Sequence, residues 1–299
     1  MKIRFGKREG MVESTSVGGH IANVIFGLLL LAVAFCSVVP MWHVLMSSFS
    51  GGRALFAKDG LVLWPAGGFN LEGYKLVFKD ASILRSYAVT ILYVAGNALL
   101  GLVLNVLAGY VLSRPSKLRG ILMGLVMLSL MFNGGLIPTY MVIRNLGMVG
   151  SPLAVIIPTC TNAMFMVMMM NAFLQVPGET VEAAQIDGAN HLQLMFRVML
   201  PQARGLALVT VINTALMAWN AWFEASIYLP RAKAWWPLQL MIRDLTSKND
   251  DFLNYANPDY NRYLIQYVVI VIATIPVLIA LPFFQKKLEE NMVLGAVKG

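Results

Sequence analysis

Between two long hydrophobic stretches, residues 182–201 gather the side chains best suited to act on another molecule. Glu182, Ala183 and Ala184 are followed, after three intervening residues, by Gly188, and Val198, Leu200 and Pro201 close the segment. The chemistry this spacing suits is docking, not bond-making. Glu179 and Glu182 come just after Pro177-Gly178, where acidic groups favour the start of a helix. Ala183 and Ala184 form helix readily and are small enough for another surface to come close. Gly188, Ala189 and Asn190 permit a sharp turn, because Gly accepts positive φ and Asn often does. Leu192, Met195, Phe196 and Met199 then recur at i, i+3, i+4 and i+7. That is one face of a second helix, expected to pack on the chain's own body, with Pro201 ending it. A pair of short helices can insert into a groove on a partner. Periodicity alone serves equally well an amphipathic helix resting on lipid or on the protein's own core.

A second available chemistry is binding of a polar solute, through aromatic ring faces and convergent hydrogen-bonding groups. Asn213, Trp219 and Asn220 share one apolar stretch at helical spacing, with Trp222 beside them and Asn133 in an earlier stretch. Asn97, Asn105, Asn162 and Asn171 are further apolar-stretch amides. Each also has a plain reading, since Asn in a membrane helix often bonds to a neighbouring helix and Trp often marks the bilayer interface. Glu224 is the one Asp, Glu, Lys or Arg within the apolar stretches. A carrier driven by protons or sodium needs several such groups, and these stretches hold almost none. The chain has no Gly-x-x-x-x-Gly-Lys-Ser/Thr phosphate loop. His20, His43 and His191 are scattered and show no metal spacing. The run Met164–Met170 would cover every face of a helix, as flexible apolar filler does. No Ser-His-Asp, Cys-His or paired-carboxylate set is placed for catalysis, and no metal site is expected.

These groups need a scaffold, and composition dictates a membrane one. The chain is 58% hydrophobic and 13% charged, against about 25% charged in soluble domains. Six stretches, 21–46, 87–112, 120–142, 152–174, 205–229 and 264–285, approach the ~20 apolar residues that cross a bilayer. Each is expected to be a helix, because backbone groups in lipid must pair within their own segment. The first is too long for a signal-peptide core and is read as retained. The expected organisation is a cytoplasmic N-terminus at 1–20, a first helix at 21–46 and an outer loop at 47–86. A core follows at 87–285, with a cytoplasmic connection at 175–204 and an outer loop at 230–263. A cytoplasmic tail at 286–299 ends the chain. Lys2, Arg4, Lys7 and Arg8, then Arg114, Lys117 and Arg119 in a short loop, favour both termini in the cytoplasm, as does the even number of spans. The net charge of +8 fits topology and anionic lipid better than nucleic acid, which needs a clustered basic face. Cys36 and Cys160 fall in different stretches and read as packing residues, not a disulfide.

The polar island resembles the EAA motif of ABC-importer permeases on Glu182, Ala183, Ala184, Gly188, Leu200 and Pro201, with Val198 where Ile is usual. Phe69–Tyr74, Phe132–Tyr140, Trp219–Phe223 and Gly295–Gly299 are similar to segments of the carbohydrate-uptake branch of that family. The resemblance implies an all-α integral membrane protein of six transmembrane helices with the type I importer (MetI-like) fold, the last five helices forming the core. It implies that Glu182, Ala183, Ala184, Asp187, Gly188 and Ala189 contact a separate ATPase subunit. The implied partners are an ATPase dimer, a second permease and an extracytoplasmic solute-binding protein. ATP and Mg then belong to the ATPase and no cofactor to this chain. The implied location is a bacterial plasma membrane, and the implied substrate an oligosaccharide or sugar derivative. In the family the C-terminal tail can lie against the ATPase pair. A permease for a non-sugar solute and a secondary carrier are the alternatives.

Overall fold

The computed structural model describes residues 17–247 and 262–296, and every regular element among them is helical. The N-terminal basic cluster, residues 248–261 of the expected outer loop and residues 297–299 lie outside the described residues. Helix α1 (Val17–Ser48) is apolar on all sides, and no part of its most hydrophobic window is buried inside the protein. Such a helix is at home only in an apolar solvent. Its C-terminal end and helix α15 (Arg262–Ala296) pack together with two short helices, α2 (Gly52–Phe56) and α3 (Glu72–Lys79), and with α14 (Leu238–Ser247). Val62, Val77, Ile83, Leu238, Val268 and Val269 form the buried centre of this half. Polar side chains stitch it. His43 Nδ1 accepts from the Val62 N–H at 2.9 Å, so its proton sits on Nε2, which lies 3.2 Å from the Tyr267 hydroxyl. Trp42 donates to the Leu63 carbonyl at 3.0 Å. Residues 47–86 are thus not an open loop: they hold α2, α3 and the start of α4 (Ala81–Ser113), where Asp80 caps α4 by accepting from the Ser82 N–H.

Helix α4 is the central beam. Without water to drive helices together, close approach in a membrane relies on small residues. A Cβ at Gly109 would lie 2.6 Å from the Met169 Cβ, and one at Gly101 would lie 2.1 Å from the Cys160 carbonyl oxygen. Both glycines therefore admit the neighbouring helix backbone.

Three of the six apolar stretches are continuous helices (α1, α4 and α15), and three are interrupted. The stretch 120–142 divides into α5 (Arg119–Met131) and α6 (Leu136–Asn145). At the break, Asn133 Oδ1 accepts from the Gly135 N–H at 2.9 Å, a local turn that competes with the helix. The stretch 152–174 divides into α7 (Leu153–Thr159) and α8 (Ala163–Leu174), bent by 48°. Asn162 starts α8 by accepting from the Met164 N–H. Two buried amides on α4 face this break. Asn97 Oδ1 accepts from the Thr159 hydroxyl at 2.9 Å, and Asn105 Oδ1 accepts from the Thr161 hydroxyl at 2.6 Å. Non-helical backbone at membrane depth is tolerated when protein covers it, and Cys160 is buried there. The stretch 205–229 divides into α12 (Arg204–Trp219) and α13 (Phe223–Tyr228). Hydropathy averaged over a window does not register the single amides that end these helices. Cys36 and Cys160 are free thiols.

Candidate coupling surface and transport path

Beyond α8 the chain turns at Gln175–Pro177 and starts α9 (Gly178–Ile186), with Glu179 in its first turn. Val181 is buried and Ala184 half-buried, so this face rests on the body. Glu182, Ala183 and Asp187 are exposed, and Ile186 is 86% exposed. Helix α9 stops as its sequence requires. Gly188 has φ +81°, its N–H donates to the Gln185 carbonyl, and the Ala189 N–H donates to the Ala184 carbonyl. Asn190 then opens the second helix with a reciprocal cap. Its Oδ1 accepts from the Gln193 N–H at 2.9 Å, while Gln193 Oε1 accepts from the Asn190 N–H at 3.0 Å.

The second helix is composite: α10 (His191–Gln193), a π-helical stretch (Leu194–Met199) and α11 (Leu200–Gln202). Leu194, Met195 and Met199 are buried. Leu192 and Phe196, expected on the same inward face, are instead 62% and 45% exposed. For Phe196 the π winding gives the reason: its i→i+5 repeat puts Leu194 and Met199 on one line and turns Phe196 away; Leu192 lies ahead of that stretch, in the first turn. Pro201 lies within α11, not after it, and the direction change comes at Ala203, where the chain bends by 86° into α12. The result is a hairpin with a buried apolar underside and an exposed ridge of Glu182, Ala183, Ile186, Asp187, Leu192 and Phe196. Exposed large apolar side chains beside acidic ones suit a protein partner.

A polar contact joins the hairpin to the beam. The Tyr110 hydroxyl and His191 Nδ1 share a hydrogen bond of 2.8 Å. Tyr110 also meets Phe173 edge-to-face with ring centroids 6.4 Å apart, and Arg114 lies 5.8 Å from its ring centroid. Sequence reasoning missed His191 because its partner is 81 residues away.

The predicted substrate-path residues separate into groups. Asn220 and Trp222 line an open concavity of about 240 Å³ with Thr159, Met217, Phe223 and Glu224. Arg243, on α14, stacks on the Trp222 ring at 3.8 Å from its centroid. Trp219 does not line it. Its indole donates to the Ala273 carbonyl at 3.3 Å and meets Tyr87 edge-to-face, so it packs α12 between α4 and α15. Asn213 is exposed and donates to the Val209 carbonyl of its own helix. Asn133 is exposed at the α5–α6 break and is not among the lining residues. Thr159 enters the concavity from the α7–α8 break, a contribution no local pattern signalled.

Comparison with known proteins gives this geometry a family. Residues 98–294, from within α4 to nearly the end of α15, match the family described as the binding-protein-dependent transport system inner membrane component. The chain is 33% identical to the protein LplC of Bacillus subtilis (strain 168), covering 94% of this chain and 96% of that one. It is 32% identical to the polygalacturonan/rhamnogalacturonan transport system permease protein YtcP of the same organism, covering 92% and 97%. A chain in the crystal structure of a bacterial ABC transporter involved in the import of the acidic polysaccharide alginate superimposes with a TM-score of 0.86. That chain is 28% identical, and the match covers 92% of the present chain and 99% of the other. The all-α membrane fold, the matched span and these identities agree: the chain belongs to the binding-protein-dependent transport system inner membrane component family.

Proposed function

We propose that this chain is the membrane-spanning permease subunit of an ATP-driven importer for an oligosaccharide or sugar derivative. The observation that carries the reading is the hairpin of α9 to α11: a capped, rigid pair of helices packed below and exposed above. In this reading Glu182, Ala183, Ala184, Asp187, Gly188 and Ala189 engage an ATPase subunit on the cytoplasmic side, which places both termini in the cytoplasm. ATP and Mg bind there, not in this chain. A second permease completes the pore, and an extracytoplasmic binding protein delivers the substrate. Lipid covers α1. Asn220, Trp222 and Glu224 offer hydrogen bonds and a ring face to a sugar at the concavity. The carbohydrate assignment is supported by the relatives named above, two of which are named for polysaccharides of acidic sugars.

The test is uptake by the complex purified through a tag on this chain and reconstituted in vesicles. The probes are labelled digalacturonate, dimannuronate and neutral raffinose. ATP-dependent accumulation of at least one is the expected result. Accumulation of none, with an amino acid or phosphonate accumulated instead, would contradict the sugar assignment.

A further inference from the structure

The Tyr110–His191 contact joins the hairpin to the helix that reaches the α7–α8 break. We infer that this pair is a positioning pin, which makes the hairpin and α4 move as one body when the hairpin is displaced. The inference rests on the docking reading above. The cluster under the hairpin is apolar among the described residues: Val181, Leu194, Met195 and Met199 against Val106, Met169, Ala172 and Phe173. Apolar surfaces can slide past one another, whereas a hydrogen bond of 2.8 Å fixes register and direction. The pin sits at the first residue of α10, where the Asn190–Gln193 cap has already fixed the backbone. Tyr110 is itself held by Phe173 and lies beside Gly109, where α4 and α8 pack closely.

From Tyr110 the beam runs back to a different face, about 140° around the helix. Asn105, Gly101 and Asn97 follow at near-regular spacing, and each meets the α7–α8 break, through Thr161, the Cys160 carbonyl and Thr159 respectively. Thr159 lines the concavity. A displacement of the hairpin therefore reaches the concavity's wall through one rigid helix and named polar contacts. Neither Tyr110 nor His191 is assigned a contact with the ATPase or the solute.

The test uses the reconstituted complex and the labelled oligosaccharide that the unmodified complex accumulates. Three quantities are read: ATPase subunit co-purified, ATP hydrolysed, and sugar imported per ATP. Tyr110→Phe keeps the ring and removes the hydroxyl. It is expected to leave co-purification and hydrolysis intact and to lower sugar per ATP about fivefold, the lower end of ordinary coupling between sites. His191→Ala should do the same, and the double variant should be no worse than either single one. His191→Asn, whose amide can take the place of Nδ1, should recover most of the loss. Unchanged sugar per ATP in Tyr110→Phe, additive losses in the double variant, or no recovery by His191→Asn would overturn the pin. Absence of an ATPase subunit from the unmodified complex would instead overturn the docking reading.

Discussion

Gly188 shows how much one backbone angle can decide. Its φ of +81° ends α9 and aims the ridge, and apart from Gly188 and its chain neighbours no atom lies within 4 Å of where a Cβ would stand. A substitution there is therefore a backbone test uncomplicated by crowding. Gly188→Ala carries only the left-handed cost of about 1–2 kcal/mol. It should weaken co-purification of the ATPase modestly. Gly188→Pro cannot adopt the angle at all and loses the N–H that bonds Gln185. The expected outcome is protein inserted at normal levels with no ATPase association and no uptake, read by pull-down and transport. Glu182→Ala should give a similar uptake defect without altering the helix, because the side chain is exposed. At the concavity, Trp222→Ala and Glu224→Gln should shift the preference among the three sugar probes while ATPase binding persists. Trp219→Phe removes the bond to the Ala273 carbonyl. It should lower the melting temperature of the detergent-purified protein without changing sugar preference. Part of this was legible in the chain. Glu182, Gly188 and Asn190 announce a capped turn because turn chemistry is local. Tyr110 with His191, and Trp222 with Arg243, were not legible, since long separations in sequence carry no local signature.

At the scale of elements, local patterns located the apolar stretches but not where they break. The stretches 120–142, 152–174 and 205–229 look continuous by hydropathy. Yet Asn133, Asn162 and Asn220 each stand at a helix boundary. The amides were visible in sequence as sugar-binding or interhelical groups, and their commoner use, bonding the nearby backbone, decided the geometry. The π-helical stretch is a second such case. An i, i+3, i+4, i+7 pattern presumes α winding throughout, and Leu194 for Phe196 is the consequence. Element packing gives its own prediction. Gly109→Leu would drive four carbons into the Met169 backbone, where even a Cβ has no room. Separation of α4 from α8 should then abolish folding into the detergent-stable form, assayed by gel filtration. Gly124→Leu on α5, with open space around it, should be tolerated in the same assay.

For the whole molecule the reading is mechanical. A helical membrane bundle carries a capped hairpin at one end of α4 and an open concavity of about 240 Å³ near the α7–α8 break, and under the proposed function energy would enter through that hairpin from a separate ATPase. The arrangement of family and fold was the most legible level, because composition and six short motif identities both point to it. The most direct measurement compares solute accumulation in vesicles holding this chain alone with vesicles holding the complete complex, each loaded with ATP and supplied with the same labelled sugars. The account predicts no uphill accumulation by the chain alone and ATP-dependent accumulation by the complex. Accumulation against a gradient by the isolated chain would contradict it.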